Sequence, residues 1–179
     1  MSKFIVVVGG IPESLLNFRG ELICAFKRSG LRVMAMSSPA SDKIIKALNS
    51  IGIEYTPYDL KRNSLNPLND LSVLVQLYKV FRYLKADLVL AYTIKPVIWG
   101  GFAARVTGAE FYALITGLGY SFQGEGIKRS FLKWLVRNLY RSALVRAKGV
   151  IFQNADNAKL FIDQRIVHPS KCHVVNGSG

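Results

Sequence analysis

The fold follows from a short run near the N-terminus, Phe4-Ile5-Val6-Val7-Val8-Gly9-Gly10-Ile11-Pro12. Five consecutive apolar residues, most of them β-branched, predict a strand that is buried on both faces. The glycine pair predicts a tight turn, and Ser14 is placed to cap a helix that runs to about Ser29, before a stop at Gly30. A strand, a glycine turn and a helix in this order are typical of an α/β fold.

The same strand, turn and helix pattern repeats along the chain. Apolar runs predict further strands over residues 31–37, 53–58, 88–91, 111–115 and 150–153, and a short final strand over 171–175. Helical segments alternate with these runs and most turns contain glycine, which predicts a mostly parallel, doubly wound, Rossmann-like sheet. Ligands of such sheets bind outside the carboxyl ends of the strands, where the strand order reverses.

Three loops are therefore expected to form one crevice: Gly9–Ser14 after the first strand, Tyr92–Lys95 after the fourth, and Thr116–Tyr120 after the fifth. Gly9 and Gly10 precede a helix N-terminus, where bare backbone N–H groups and the helix dipole attract phosphate. A tight turn without any ligand explains the same two glycines. Lys95 precedes a helix that begins at Pro96, and its ammonium group can meet a bound phosphate or face solvent.

Arg19 is an unexpected residue on the first helix, because it lies on the same stripe as the apolar Leu15, Phe18 and Leu22. A cation on a core-facing stripe needs an anionic partner or a route to water. The sequence leaves three interpretations open: a substrate anion, a structural carboxylate, or a side chain that extends to solvent.

Motifs for metal binding and for nucleophilic catalysis are missing from the sequence. His168 and His173 have no carboxylate or cysteine at metal-ligand spacing, and no serine-centred elbow occurs. Cys24 and Cys172 are far apart, which favours reduced thiols in a cytosolic protein. We therefore expect no metal and no cofactor, and the sequence identifies no catalytic residue.

The chain of 179 residues is strongly basic, with a formal charge of +13, a pI near 10.0 and half of its residues hydrophobic. This composition predicts one globular domain. The charge is uneven, since residues 127–179 contain ten basic and two acidic residues, a net of +8. Such a balance suits a polyanion, a phosphate-bearing substrate or an acidic membrane. No apolar run approaches the ~18–20 residues that span a bilayer.

A predicted helix over residues 128–148 contains no acidic residue. Its cations recur every fourth residue and so form one stripe, made of Arg129, Lys133, Arg137 and Arg141. Trp134 and Tyr140 lie at the margins of this stripe. The side expected to face the core consists of Phe131, Leu132, Leu135, Leu139, Ser142 and Ala143. The stripe is either an ordinary solvated face or a surface that lies on anionic lipid headgroups.

An ordered series of short motifs resembles a known family. The series consists of Gly9-Gly10 before Leu15–Arg19, then Asn66–Leu71, Tyr92–Pro96, Thr116–Tyr120 and Asn176–Gly179. Together these motifs resemble the N-terminal domain of family 4 glycosyltransferases of the GT-B fold. They are most similar to the bacterial enzymes that extend polyprenyl-diphosphate-linked sugars for surface polysaccharides.

The resemblance implies that residues 1–175 form the acceptor-side half of a two-domain enzyme. Residues 176–179 would begin the interdomain linker, and the donor-binding C-terminal domain would be absent from this chain. Gly9 and Gly10 would lie near the donor diphosphate. The resemblance implies a substrate-binding set of Arg19, Thr93, Lys95, Thr116, Gly117 and Tyr120. It implies a membrane-contacting set of Arg129, Lys133, Trp134, Arg137 and Arg141. Many relatives place a histidine where this chain has Thr116, which leaves the sugar contact open.

The expected activity is retaining transfer of a sugar from a nucleotide-sugar donor, without a metal, to a lipid-linked or oligosaccharide acceptor. The chain is expected to be inactive alone, to need a donor-binding domain as partner, and to bind anionic membrane but no nucleic acid. Its expected location is cytoplasmic, peripheral to the inner face of the cell membrane. The alternative is a non-catalytic Rossmann-like module that binds nucleotides or polyanions. A dehydrogenase is disfavoured because GxGxxG is missing.

Overall fold

Seven parallel strands form one sheet in the computed structural model, which describes residues 2–61, 67–117 and 127–175. The strands are β1 (Phe4–Val8), β2 (Arg32–Ser37), β3 (Glu54–Pro57), β4 (Leu88–Tyr92), β5 (Glu110–Ile115), β6 (Gly149–Phe152) and β7 (Cys172–Val174). Every strand that the apolar runs predict is present. The five residues of β1 are all buried, as a continuous apolar run in a parallel sheet requires.

The strand order is β3-β2-β1-β4-β5-β6-β7. The chain first adds strands on one side of β1 and then returns to add β4 on the other side, so the order reverses between β1 and β4. Val8 pairs with Ala91, and Tyr92 pairs with Leu114. The carboxyl ends of β1, β4 and β5 are therefore neighbours at one edge of the sheet. The doubly wound, Rossmann-like prediction is confirmed.

Helices lie on both faces of the sheet. They are α1 (Pro12–Asn17), α2 (Gly20–Arg28), α3 (Asp42–Ser50), α4 (Pro67–Leu84), α5 (Ile94–Thr107), α6 (Ile127–Leu144) and α7 (Ala155–Asp163), with a short 3-10 helix at Pro169–Lys171. Helices α1 to α3 enclose one core with β1 and β2, and α4 to α7 enclose the other. This division follows from right-handed crossovers, which place helices on opposite faces when the strand order reverses.

The first helix differs from its prediction in two ways. It is interrupted at Phe18–Arg19, so α1 and α2 replace one continuous helix. Ser14 does not cap it, because α1 already begins at Pro12 and the Ser14 hydroxyl donates to the Ile11 carbonyl at 2.5 Å. Proline is favoured at the first helical position because its ring presets φ there.

An apolar hollow of about 560 Å³ lies on the face that α1 to α3 occupy. Leu88, Leu90 and Leu114 form part of its wall, together with Tyr112 and Ile151. These residues belong to β4, β5 and β6, and Leu22 and Phe26 of α2 also line the hollow. Leu90 and Leu114 are themselves buried, within the core that α1 to α3 enclose.

Candidate functional site

The glycine pair that follows β1 lies against the end of β4. A Cβ atom added at Gly9 would lie 2.8 Å from Tyr92 Cε1 and closer still to the Oη and Cζ atoms of that ring, and one added at Gly10 would lie 2.9 Å from Thr93 Oγ1. Neither distance leaves room for a side chain. Glycine is therefore required here by the close approach of the first and fourth loops, which meet as predicted.

Most backbone groups of this glycine loop already have internal partners. The Gly9 N–H donates to the Met36 carbonyl at 2.8 Å, and the Gly9 carbonyl accepts from Tyr58 Oη at 2.7 Å. The Gly10 carbonyl accepts from Ser38 Oγ at 3.0 Å. The expectation of a bare N–H at Gly9 is thus wrong, because β2 already uses that donor. The loop forms a rigid floor, and a place for both glycines near a donor diphosphate stays a prediction.

Tyr92 links the glycine loop to the first helix. Its hydroxyl lies 2.8 Å from Ser14 Oγ, and only 1% of the residue is exposed. Burial raises the pKa of Tyr92 to about 12, while the Ser14 hydrogen bond and the Arg19 charge lower it. Tyr92 is therefore neutral at every physiological pH. Its ring packs against Gly9, and its hydroxyl is hydrogen-bonded to Ser14 of α1. Sequence reasoning did not identify Tyr92, because its partners are distant in the chain.

Arg19 lies over the Tyr92 ring, with the guanidinium carbon 5.3 Å from the ring centroid. Its Nη1 atom donates to the Phe18 carbonyl at 2.8 Å, and the residue is buried. Burial lowers the pKa of Arg19, and the nearby Tyr92 raises it. The structure therefore places this cation beneath the crevice, in the wall of the 560 Å³ hollow. Contact with an acceptor stays a prediction.

Thr93 and Lys95 occupy the end of β4 and the start of α5. Thr93 adopts φ 69° and ψ 160°, a left-handed conformation that non-glycine residues avoid and that is often found at functional sites. Lys95 Nζ lies 2.7 Å from Asp70 Oδ1 and donates to the Lys61 carbonyl at 2.9 Å. The positive charge of Lys95 is thus paired with the Asp70 carboxylate on α4. The sequence missed Asp70 because 25 residues separate the two partners.

The third loop of the predicted crevice is described only at its start. Thr116 and Gly117 follow β5 directly and are both half-buried. Among the described residues, no atom lies within 4 Å of a Cβ added at Gly117, so none of these residues requires glycine there. Tyr120 lies outside the described residues. A substrate-binding role for these three residues stays a prediction.

The basic flank is the outer side of α6. Lys133 and Arg137 are half-buried and Arg141 is exposed, whereas the Arg129 side chain lies outside the described part. Trp134 is 52% exposed, and its ring stacks on that of Phe131 at a centroid distance of 5.8 Å. Cations and exposed aromatic rings thus lie side by side, beside a groove of about 330 Å³ that α6 forms with α7.

The buried side of α6 agrees with the prediction only in part. Phe131 and Leu135, expected in the core, are 62% and 37% exposed, whereas Tyr140 is only 1% exposed. Tyr140 meets Phe161 of α7 edge to face at 5.3 Å, and burial raises the pKa of its hydroxyl. Leu132, Leu139 and Ala143 do pack against the core as expected, so the prediction for this face is correct in part. Tyr140 is buried against α7 and cannot contact a membrane.

Among the described residues, no group of three His, Cys, Asp or Glu side chains could hold a metal ion. In the same part of the chain, every helix is too short or too polar to cross a bilayer.

The parallel strand order and the loops that meet at the carboxyl edge define a Rossmann-like α/β domain, the class in which ligands bind at that edge. Within this class, residues 16–154 match the family described as glycosyl transferase 4-like, and the chain belongs to this family. The resemblance noted in the sequence is confirmed.

Several relatives are more than twice as long as this chain. A Campylobacter jejuni protein named N,N'-diacetylbacillosaminyl-diphospho-undecaprenol alpha-1,3-N-acetylgalactosaminyltransferase is 28% identical over 147 residues, which are 82% of this chain and 39% of that protein. A Rickettsia africae glycosyltransferase superposes with a TM-score of 0.70 at 18% identity, over 98% of this chain and 43% of its own. MurG of Acinetobacter baumannii gives 0.60 at 16% identity, over 99% and 46%. The solved structures show a shared fold, that of one half of GT-B enzymes.

Proposed function

We propose that residues 1–175 are the acceptor-binding domain of a retaining glycosyltransferase, and that residues 176–179 begin a linker to a donor-binding domain. The acceptor is a lipid-linked saccharide at the inner, cytoplasmic face of the cell membrane. The observation that supports this proposal is the similarity, over 82% of the chain, to a transferase whose name specifies a diphospho-undecaprenol-linked acceptor. The family match supports the sugar-transfer chemistry.

The crevice at the strand ends is the proposed acceptor site. Its floor is fixed by the contact of Gly9 with Tyr92, which removes loop motion that binding would otherwise have to suppress. The ammonium of Lys95 and the carboxylate of Asp70, 2.7 Å apart and each less than one-fifth exposed, present a donor and an acceptor to sugar hydroxyls. Thr93 and Thr116 add hydroxyl groups at the ends of β4 and β5.

The nucleotide sugar is a substrate in this proposal, and the second domain supplies most of its binding site. From this half, the Gly10 N–H is the group we place nearest to the donor diphosphate, because the Gly9 N–H is bonded to β2. We assign no residue of this half to the chemical step. These 179 residues alone are therefore expected not to transfer sugar.

The basic flank is the proposed membrane contact. Trp134 and Phe131 expose apolar rings beside the cations of α6, which is the pattern of helices that lie in the headgroup layer. Attachment at this flank would hold the crevice near a lipid-linked acceptor, because α6 begins at the same edge of the sheet as the crevice loops.

Reconstitution tests this proposal. The chain is assayed alone and with the C-terminal domain of the Campylobacter relative joined after Gly179, using a UDP-linked N-acetylhexosamine and an undecaprenyl-diphosphate-linked sugar. We expect acceptor binding by both proteins and transfer by the joined protein only. Lys95→Met should weaken acceptor binding roughly tenfold through a lost charged hydrogen bond, whereas Lys43→Met on the exposed side of α3 should not.

Two results would contradict the proposal at different points. Transfer by the 179 residues alone would show that a donor domain is not required. If neither protein binds the acceptor, although circular dichroism shows that both are folded, the acceptor role itself is refuted.

The basic flank also favours a second candidate, a non-catalytic module that binds nucleotides or other polyanions. This function predicts nucleic-acid binding whose affinity falls steeply with salt. Binding that is unchanged between low and physiological salt, or absent, would remove this candidate.

A further inference from the structure

A basic hollow lies at the end of the basic flank where α6 terminates. It has a volume of about 500 Å³ and lies between the last turns of α6 and α7 and the 3-10 helix. Arg141, Arg165 and Lys171 form its rim, and the buried Ile166 and Val167 belong to its floor. A cationic rim over an apolar floor matches an amphiphile with a phosphate group.

The charge of this hollow exceeds what the fold requires. The C-terminal ends of α6 and α7 together contribute about one negative charge, half a charge each. Lys171 Nζ donates to the Val145 carbonyl at 2.9 Å and so compensates the partial negative charge at the C-terminal end of α6. Within the described residues, neither Arg141 nor Arg165 forms an ion pair with a carboxylate, and the nearby Asp163 is bonded to Lys159 at 2.6 Å. A net positive charge of about two remains.

A comparable hollow on the same molecule provides the contrast. It is about 670 Å³ in volume and includes Arg82 and Lys85 at the end of α4. Lys85 has φ 50° and Arg165 has φ 55°, so each helix ends with a basic residue in the left-handed conformation. The hollow at α4, however, also contains the carboxylates of Asp87 and Glu110. The described residues that line the hollow at α7 include no acidic residue.

The position of the hollow indicates what it can reach. Around the axis of α6, Trp134 and Arg141 lie within about 20° of one another, and Arg141 is about 10 Å along the helix from Trp134. One flat surface can therefore contact the aromatic pair and the hollow together. Helix α6 is about 27 Å long and runs away from the crevice, so the hollow is too distant to hold the sugar that reacts.

We propose that this hollow binds the phosphate of an anionic membrane phospholipid. Arg141 and Arg165 bind the phosphate oxygens, and the apolar floor receives the adjoining glycerol and first methylene groups. The inference rests on the proposed membrane attachment and adds a defined binding site for one lipid phosphate. It places a second anchor at the end of the flank opposite Trp134.

Vesicle sedimentation tests the proposal with the full chain. The vesicles contain equal parts of phosphatidylglycerol and phosphatidylcholine, at an ionic strength near physiological. The double variant R141Q/R165Q should bind roughly 30-fold more weakly, because each cation near an anionic surface contributes about a factor of five. The matched control R82Q/K85Q removes the same charge from the comparable hollow and should stay within about twofold of the wild type.

A further variant separates a built site from diffuse attraction. R141K/R165K keeps the charge but loses the planar, bidentate geometry of arginine on phosphate, so it should bind several-fold more weakly. Soluble glycerophosphate should displace the protein no more than sodium chloride of equal ionic strength.

Each outcome has a defined meaning. Equal losses of vesicle binding in R141Q/R165Q and R82Q/K85Q, or full binding by R141K/R165K, would overturn the proposed phosphate site in the hollow. Neither result would contradict the membrane attachment. Displacement by glycerophosphate beyond the salt control would show a soluble phosphate ester as the ligand and overturn the lipid assignment. If the wild-type chain does not sediment with these vesicles, both the proposed phosphate site and the proposed membrane attachment are overturned.

Discussion

Alanine substitutions at Gly9 and Gly117 should have opposite effects on stability. At Gly9 the added Cβ would overlap the buried Tyr92 ring, with Cε1 2.8 Å away and two ring atoms closer. Ordinary contacts begin near 3.4 Å, so the loop or the ring must move. Overpacking of this kind costs about 1–3 kcal/mol, and movement of the ring also disrupts the 2.8 Å contact between Tyr92 and Ser14, which contributes about 1 kcal/mol. We expect Gly9→Ala to lower the free energy of unfolding by about 2–4 kcal/mol.

Gly117→Ala is the matched control, because the added Cβ meets no atom of the described residues within 4 Å and Gly117 is not among the glycines with positive φ. It should be neutral or should stabilise the protein by up to about 1 kcal/mol, since alanine restricts the unfolded chain. Urea unfolding with linear extrapolation measures both effects. For a domain of this size, Gly9→Ala should lower Tm by roughly 5–15 °C.

The reasoning also predicts coupling between the two sides of the contact. In a Tyr92→Ala background the ring is gone, so Gly9→Ala should cost at least about 1 kcal/mol less than in the wild type. Equal costs in both backgrounds, or a Gly9→Ala protein as stable as Gly117→Ala, would refute the steric argument.

Three further predictions concern ionisation, the crevice and the flank. Tyr92 binds its proton more tightly when folded, with a pKa of about 12 against ~10 unfolded. The stabilisation from the protonated Tyr92 is therefore fully present below pH 10, and about 2–3 kcal/mol of it is lost as pH rises through 12. The unfolding free energies of wild type and Tyr92→Phe should converge over this range. A constant difference between them would contradict the burial of Tyr92. Asp70→Leu should destabilise the protein by about 1.5–3 kcal/mol, and adding Lys95→Met should recover part of that loss; a double variant as unstable as the sum of the singles would show that the pair is not coupled. Trp134→Ser should weaken vesicle binding roughly tenfold through lost apolar contact, whereas Tyr140→Phe should bind like the wild type; equal losses would mean that the exposed ring is not the contact.

The sheet could be predicted from the sequence because its constraint is local. A strand buried on both faces of a parallel sheet must be apolar at every position, and β1 meets this condition from Phe4 to Val8. Chain topology then brought the loops after β1 and β4 together without any contact information. The break between α1 and α2 could not be predicted, because Arg19 adopts its position on the ring of Tyr92, a contact that no local pattern shows.

The partners inside the crevice were missed for the same reason. The hydrogen bond from Tyr58 to Gly9 spans 49 residues, and the ion pair of Lys95 with Asp70 spans 25. Neither spacing is a motif. Asp70 had one available signal, its place as an acid in the first turn of α4, but that position also favours the helix dipole and so does not by itself identify a partner.

The orientation of α6 is instructive because local hydrophobicity predicted its core face only in part: Leu132, Leu139 and Ala143 pack inward as expected, whereas Phe131 and Leu135 do not. Burying a phenylalanine costs no hydrogen bond, whereas burying a tyrosine hydroxyl requires a partner or is unfavourable. The helix nevertheless buries Tyr140 against Phe161 and leaves Phe131 and Trp134 in solvent. Packing with α7 explains why Tyr140 is inside, but nothing in the described core explains why two stacked aromatic rings are outside. The membrane attachment proposed above would supply an apolar partner at that surface, and anionic headgroups would suit the cations beside the two rings.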